Sequence, residues 1–347
     1  MKNNKKKNVL IIGSSQGAYG GIEAFMIALA KTAATWEEFN IVLCFKLVKG
    51  AKLTYNLKLL AEKDCKTVYY VNRASWQLMK LINWSDVIHL QNMPPDVIFP
   101  ARILFKKVYL TVHNRKHLTN AHSIIWDLAI KFAQKRWFIS SFVWNSWEGN
   151  NKSSKSECVP SICNLPKKIT LPEDRKGFLF VGRWIPNKGI EEILQAYALN
   201  NFNPNIWPLT ILGDGPLKPT ILGLIQELGL QSVNMPGFVD ESIKENYLSS
   251  ARWLLAPANT QEDLGLTPIE ARSVGVPSIV SRDGGLPESA GDAALITEPG
   301  NVEDLAKFML VAATMNNEEY KQRSESGMKS LTAFLKPMEF YRAAYNN

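Results

Sequence analysis

Cysteine is scarce. Four occur in 347 residues, Cys44, Cys65, Cys158 and Cys163, and no two form a Cys-x-x-Cys pair. That spacing excludes a disulfide-stapled scaffold, and reduced, idle thiols are expected. Histidine is as rare: His89, His113, His117 and His122 all lie in one short stretch. His113 and His117 stand four apart, a spacing that can hold a metal, but no clustered Cys or acid completes a site. A metal is therefore not expected. Long apolar runs are missing too: nothing approaches the roughly 18 uninterrupted apolar residues of a membrane span. The apolar run behind the first lysines, Val9–Ile12, ends at Gly13 and is too short for the core of a signal peptide. A cytoplasmic protein without an integral anchor is expected.

What is present is an ordinary globular composition, 46% hydrophobic and 21% charged, in a chain long enough for two cores. The charge is unevenly divided. Residues 1–166 carry 23 Lys and Arg against 10 Asp and Glu, a net of +13, and residues 167–347 carry 17 against 22, a net of −5. A basic first half admits two readings: a solvated face, or a surface for an anionic partner such as a membrane, a lipid phosphate or nucleic acid.

Short apolar runs alternate with amphipathic stretches. Strands are expected at 9–12, 40–45, 67–70, 87–90 and 108–113, with helices at 22–34, 56–63, 76–82 and 123–133. Residues 145–176, rich in Asn, Ser, Lys and Pro, read as a loop or linker. The rhythm then restarts: strands at 177–181, 209–213, 233–235, 253–256 and 277–281, with helices at 189–199, 219–228, 241–250, 267–274 and 302–315. Strand and helix taking turns at this spacing implies parallel βαβ units. The expected domains are 1–165 and 166–335, with a last helix at 336–347 returning to the first. In such sheets ligands sit at the carboxyl ends of the strands, where strand order reverses. With two such domains, the expected site is the cleft between them.

The first strand runs into Gly13-Ser-Ser-Gln-Gly17-Ala-Tyr-Gly20-Gly21-Ile-Glu23. Side-chain-free amides at a helix start suit a phosphate, and a purely structural turn suits the sequence equally. In Phe180-Val-Gly182-Arg183-Trp-Ile-Pro-Asn-Lys188-Gly189, an Arg and a Lys share the loop before a helix. That is a diphosphate clamp or a solvated basic loop. Leu212-Gly213-Asp214-Gly215-Pro216 reads as a tight turn. Pro236-Gly237-Phe238-Val239 is another, where Phe238 and the Gly237 backbone could face a base. In Glu262-Asp-Leu-Gly265-Leu266-Thr267-Pro268-Ile-Glu270, Pro268 fits the first turn of a helix. The amides of Leu266 and Thr267 suit a phosphate, and two carboxylates eight positions apart suit hydroxyl pairs on one ligand. The bland alternative makes both glutamates surface acids.

Together with Gly275-Val-Pro277 and Gly284-Gly285-Leu-Pro287-Glu288, these segments resemble glycosyltransferase family 4. The match in order and spacing is close over 177–288 and looser over 9–30. The resemblance implies an α/β GT-B fold, two Rossmann-like domains facing across an interdomain cleft. It implies a retaining, metal-independent hexosyltransferase with no cofactor. Its donor would be a nucleoside-diphosphate sugar, UDP or GDP, and its acceptor a glycan or lipid-linked hydroxyl. Arg183 and Lys188 would hold the diphosphate and assist catalysis, with Gly182, Gly20, Gly21, Gly265, Leu266 and Thr267 around it. Glu270 would take the ribose hydroxyls. Glu262 and His113 would face the transferred sugar, and Gly237 and Phe238 the base. The family's usual Glu-Gly-Phe-Gly-Leu reads here Glu262-Asp263-Leu264-Gly265-Leu266, which bears on which sugar is taken. No Asp-x-Asp pair occurs, which argues against a metal-held diphosphate. The resemblance places the chain in surface glycan, lipopolysaccharide or glycolipid assembly.

The basic first half, with Trp126, Trp137, Phe138, Phe142, Trp144 and Trp147 among Lys131, Lys135 and Arg136, suits an anionic membrane surface, at the inner face of the cytoplasmic membrane; the alternative, expected for most of these aromatics, is that they are core. Nucleic acid is not an expected partner. Two rival readings are a sugar-nucleotide epimerase of the same fold and a basic non-catalytic nucleic-acid-binding protein. Turnover without an acceptor would favour the first. Salt-sensitive binding of random DNA would favour the second.

Overall fold

The computed structural model describes residues 6–116, 122–162 and 165–347, and of His122 and Ser123 only the backbone. His117, Cys163 and the first five residues lie outside the described residues. The chain divides into two compact units: residues 1–164 with 336–347, and residues 165–335.

The first unit alternates strand and helix: β1 (Lys7–Ser15), α1 (Gly21–Ala33), β2 (Phe39–Leu47), α2 (Tyr55–Asp64), β3 (Val68–Asn72), α3 (Trp76–Trp84), β4 (Val87–Gln91), α4 (Pro95–Ile103), β5 (Lys107–Val112), α5 (His122–Lys131), β6 (Lys135–Phe138), α6 (Ser141–Glu148) and β7 (Ser156–Cys158). The strands form one sheet in the order β3-β2-β1-β4-β5-β6-β7, every pair parallel. A parallel sheet is covered on both faces, so its strands are runs of apolar residues rather than alternations. Val9, Leu10, Ile11 and Ile12 of β1 are accordingly fully buried. Side-chain caps start several helices: Thr54 accepts from the Leu57 amide, Ser75 from Leu78 and Ser140 from Val143.

The second unit carries β8 (Lys176–Val181), α7 (Ile190–Asn200), β9 (Leu209–Leu212), α8 (Lys218–Glu227), β10 (Val233–Gly237), α9 (Glu241–Ser250), β11 (Ala251–Ala256), α10 (Leu266–Ser273), β12 (Ser278–Ser281), α11 (Leu286–Ala290), β13 (Leu295–Thr297), α12 (Val302–Thr314) and α13 (Asn317–Phe334). Its parallel sheet runs β10-β9-β8-β11-β12-β13. The last helix, α14 (Glu339–Asn346), belongs to the first unit. Its Tyr341 and Tyr345 enter the first core. There the Tyr345 hydroxyl stands 2.6 Å from His89 Nδ1, and Tyr109 donates to the Ala344 carbonyl at 2.6 Å.

The sequence reading misses several elements. Helix α4 lies between the strands expected at 87–90 and 108–113, where no element was expected. Pro95 sits at the helix start, where its missing amide costs nothing, and Pro100 is tolerated inside. The segment expected as loop over 145–176 holds the end of α6 and the short strand β7. The aromatic and basic stretch is divided: Trp126, Lys131 and Lys135 are exposed, Phe142, Trp144 and Trp147 half-buried, and the rest, in β6, interior. Trp137 and Phe138 are buried in β6, and Trp137 stacks on Tyr109. Arg136 is buried against Glu148 at 2.7 Å. A charge is buried there because it is paired and hydrogen-bonded, which composition alone does not reveal.

The thiols of Cys44 and Cys65 are buried, and burial pushes them up to about 12 and about 11, so both are unreactive near neutrality. Neither Cys44 nor Cys65 is in a disulfide.

Candidate functional site

In each sheet the strand order reverses once, between β1 and β4 in the first unit and between β8 and β11 in the second. Ligands of open parallel sheets bind at the carboxyl ends beside such a reversal. The sequence motifs sit there in both units.

In the second unit, β8 ends at Val181 and passes into Gly182 and the exposed Arg183. The next loop is packed directly on this one. A Cβ on Gly213 would lie 1.8 Å from the Gly182 carbonyl oxygen, at a φ of +124° that side chains avoid. Trp184, buried between the two loops, donates to the Leu212 carbonyl at 3.3 Å. The loop after β8 is therefore rigid where Arg183 projects from it.

The loop after β11 is latched to the loop after β8. Lys188 Nζ stands 2.6 Å from Glu262 Oε1, and the Asn259 amide donates to the Asn187 carbonyl at 2.8 Å. Thr260 Oγ1 donates to the same Glu262 oxygen at 3.1 Å. Glu262 is also fixed through its backbone. The buried carboxylate of Asp283 accepts the amides of Gln261 at 3.0 Å and Glu262 at 2.9 Å, and the Gly285 amide donates to the Glu262 carbonyl at 2.7 Å. A Cβ on Gly284 would fall 2.0 Å from that carbonyl, at φ +55°.

Helix α10 begins just beyond, at Leu266 and Thr267. Its first amides have no acceptor within the helix. Thr267 Oγ1 donates to the Val181 carbonyl at 3.4 Å, which brings the helix start to the end of β8. One turn inside, Glu270 pairs with Lys244 of α9 at 3.0 Å, and Lys244 also meets Glu241 at 2.8 Å. Burial raises the Glu270 carboxyl above its ordinary range, against the opposing pull of Lys244. Gly237 closes β10 and Phe238 beyond it is 84% exposed.

The structure thus brings Lys188 and Glu262 into contact and sets Arg183, the α10 amides and Glu270 on the same two neighbouring loops and helix. Sequence reading missed Asp283, Thr260 and Lys244. Asp283 directly precedes the Gly284-Gly285 pair, which was a visible signal. Lys244 had none, because its partner is 26 positions away.

In the first unit, Gly20 caps α1 in an extended conformation and Gly20 and Gly21 are exposed. Glu23 turns back to accept from Ser15 Oγ at 2.7 Å, so it shapes the loop. His113 follows β5. Its ring donates from Nε2 to Gln91 Oε1 at 2.8 Å, and its amide donates to Asn92 Oδ1 at 2.8 Å. Burial pushes its pKa down to about 3, so the ring is neutral at ordinary pH and acts by hydrogen bonding rather than charge. No group of three or more His, Cys, Asp or Glu able to hold a metal occurs among the described residues. At the same carboxyl ends of the strands a cavity of about 710 Å³ opens, lined among others by Lys46, Lys49, Arg73, Trp126 and Trp147.

Two open parallel sheets, each with its motif-bearing loops at the reversal, decide the architecture. The fold is GT-B. Residues 162–329, nearly all of the second unit, match the family model for glycosyl transferases group 1. An uncharacterized glycosyltransferase of Methanocaldococcus jannaschii is 26% identical over 220 residues, covering 61% of this chain and 60% of that one. The O-antigen chain mannosyltransferase B of Escherichia coli is 30% identical over 161 residues, covering 45% of this chain and 40% of that one. The chain thus spans between two fifths and three fifths of these relatives' lengths. Among solved GT-B structures, that of Anabaena HepE in complex with UDP superposes with a TM-score of 0.79 at 16% identity, over 95% of this chain and 96% of that one.

Proposed function

We propose that this chain transfers a sugar from a nucleoside-diphosphate donor, UDP or GDP, to a hydroxyl of a glycan or lipid-linked acceptor, with retention at the anomeric carbon. The observation that carries the reading is the latched pair of loops after β8 and β11. It holds two cations, Arg183 and Lys188, a carboxylate, Glu262, and the open amides of α10 at the strand-order reversal. Departure of the nucleoside diphosphate puts negative charge on its β-phosphate. Fixed cations and amides stabilise that charge without reorganising at the moment of reaction. Glu262, held by Lys188, Thr260 and its own backbone, is positioned to accept hydroxyls of the donor sugar. Glu270 is assigned to the ribose, and Gly237 with Phe238 to the base. The relatives' names favour glycan assembly, and a cytoplasmic place at the inner face of the membrane fits an acceptor built on a lipid.

The test is calorimetry against UDP-, GDP-, ADP- and TDP-sugars. Arg183→Ala and Lys188→Ala should each weaken nucleoside-diphosphate binding about tenfold to a hundredfold, because hydrogen bonds to charged groups contribute roughly 1.5–3 kcal/mol each. Unchanged affinity in both variants would remove the clamp from the argument.

The diphosphate is assigned to side-chain cations and amides, so transfer should persist in excess EDTA. Loss of transfer in EDTA that manganese restores would contradict this assignment.

A further inference from the structure

We infer that the face formed by α5 and the end of α4 is a docking surface for a bilayer containing anionic lipid. Soluble helices turn their apolar side inward, and α5 does this with Ala129 and Ile130, which are buried. It is apolar on the outside as well. Ile124 is 72% exposed and Leu128 50%, and Phe132, just past the helix end, is 39% exposed. These three are spaced four apart and so form one line along the helix. Phe132 packs edge-on against Phe99 of α4 at 5.6 Å. One turn beyond Phe99, α4 ends in Ile103, 74% exposed, and Phe105 follows at 93%. A patch of large apolar side chains along two adjacent helices is more than scattered surface hydrophobics and marks an interaction site.

Charge selects the occupant. Lys131 and Lys135 are exposed at the end of the line. The single acid of α5, Asp127, is held by Lys116 at 2.6 Å. Apolar side chains flanked by unopposed lysines match the boundary between acyl chains and anionic headgroups. A protein partner would equally cover the apolar line, but the basic excess of the first half of the chain favours an anionic sheet. The same helix reaches the large cavity of the first unit: Ile125 and Trp126 of α5 line it. Across it lie exposed Lys49 and Arg73, with the one carboxylate of its lining, Asp96, shared between buried Lys46 at 2.5 Å and Arg73 at 3.8 Å. A cationic cavity opening beside an apolar face suits an anionic headgroup still anchored in its bilayer. This deepens the lipid-linked part of the proposed function and rests on it for its purpose, although docking itself requires no donor.

The experiment is cosedimentation of the full chain with vesicles of phosphatidylcholine alone or mixed with phosphatidylglycerol, at low and raised salt. Binding to the mixed vesicles is expected, with little to the neutral ones. Raised salt should weaken it only in part, because the apolar contribution is not screened. Phe105→Asn with Ile124→Ser should weaken binding about tenfold or more, and Lys131→Glu with Lys135→Glu by a similar factor. All four side chains are exposed, and Asn tolerates the positive φ of residue 105, so folding should survive. Calorimetry with UDP and with GDP on the same samples reads the second unit separately. Intact UDP or GDP binding with no vesicle binding overturns the docking face alone, and absent binding of both nucleotides overturns the donor reading alone. Vesicle binding unchanged by both double variants, or lost only when Lys2, Lys5 and Lys6 are replaced, overturns it in favour of the lysines that precede β1. Self-association abolished by Phe105→Asn with Ile124→Ser, without vesicle binding, makes the face a contact between copies.

Discussion

Glu262→Gln should leave nucleoside-diphosphate affinity intact or slightly improved and cut turnover about a hundredfold. Glu270→Gln should do the reverse, weakening the nucleoside diphosphate about tenfold with a smaller effect on turnover at saturation. The difference follows from their partners. Glu262 Oε1 already takes Lys188 and Thr260. Removing its charge releases Lys188 toward the diphosphate, so binding does not fall. What is lost is a carboxylate accepting sugar hydroxyls, at roughly 1.5–3 kcal/mol for a charged hydrogen bond, and that loss counts in kcat if the contact tightens in the transition state. Glu270 is tied instead to Lys244, away from the Lys188 pair. An amide there accepts ribose hydroxyls less well and leaves Lys244 with only Glu241. Calorimetry with the free nucleoside diphosphate and steady-state kinetics with the sugar nucleotide separate the two. Equal losses of nucleotide affinity in both variants would mean the assignments are wrong.

The pairing beneath that prediction was only half visible in the sequence. Gly182, Gly213, Gly237 and Pro268 announced themselves because loops at strand ends need unusual backbone or a helix start, and local chemistry encodes both. The Lys188–Glu262 contact joins positions 74 apart, and only the order of β8 and β11 in the sheet makes them neighbours. Composition left two readings open at β6, core and interface. Lys135-Arg136-Trp137-Phe138 reads as basic and aromatic, hence interfacial, but Arg136 finds Glu148 and goes inside. The exposed apolar line of α5 was hidden for a related reason. Ile124, Leu128 and Phe132 have the spacing of a core-facing stripe, and periodicity alone does not say which of two apolar faces is covered.

Asp283→Ala should lower the stability of the second unit by about 2–3 kcal/mol and depress turnover as strongly as Glu262→Gln. Asp283 is 7% exposed, and its carboxylate accepts two consecutive amides, those of Gln261 and Glu262. Each charge-assisted bond contributes roughly 1.5–3 kcal/mol, discounted because water can reach this partly exposed loop once the carboxylate is gone. The bonds also offset the left-handed conformation of Gln261 at φ +55°, which costs a non-glycine residue about 1–2 kcal/mol. Without them Gln261 is free to leave that conformation, and Glu262 moves with it. Asp283→Asn keeps one oxygen acceptor and should fall between. Because the two units need not unfold together, the readout is hydrogen exchange at the Gln261 and Glu262 amides rather than one melting curve. Exchange there should accelerate in Asp283→Ala while amides in β1 and β4 keep their rates. If turnover falls and those two amides stay protected, Asp283 acts on the reaction by some route other than holding Glu262 in place.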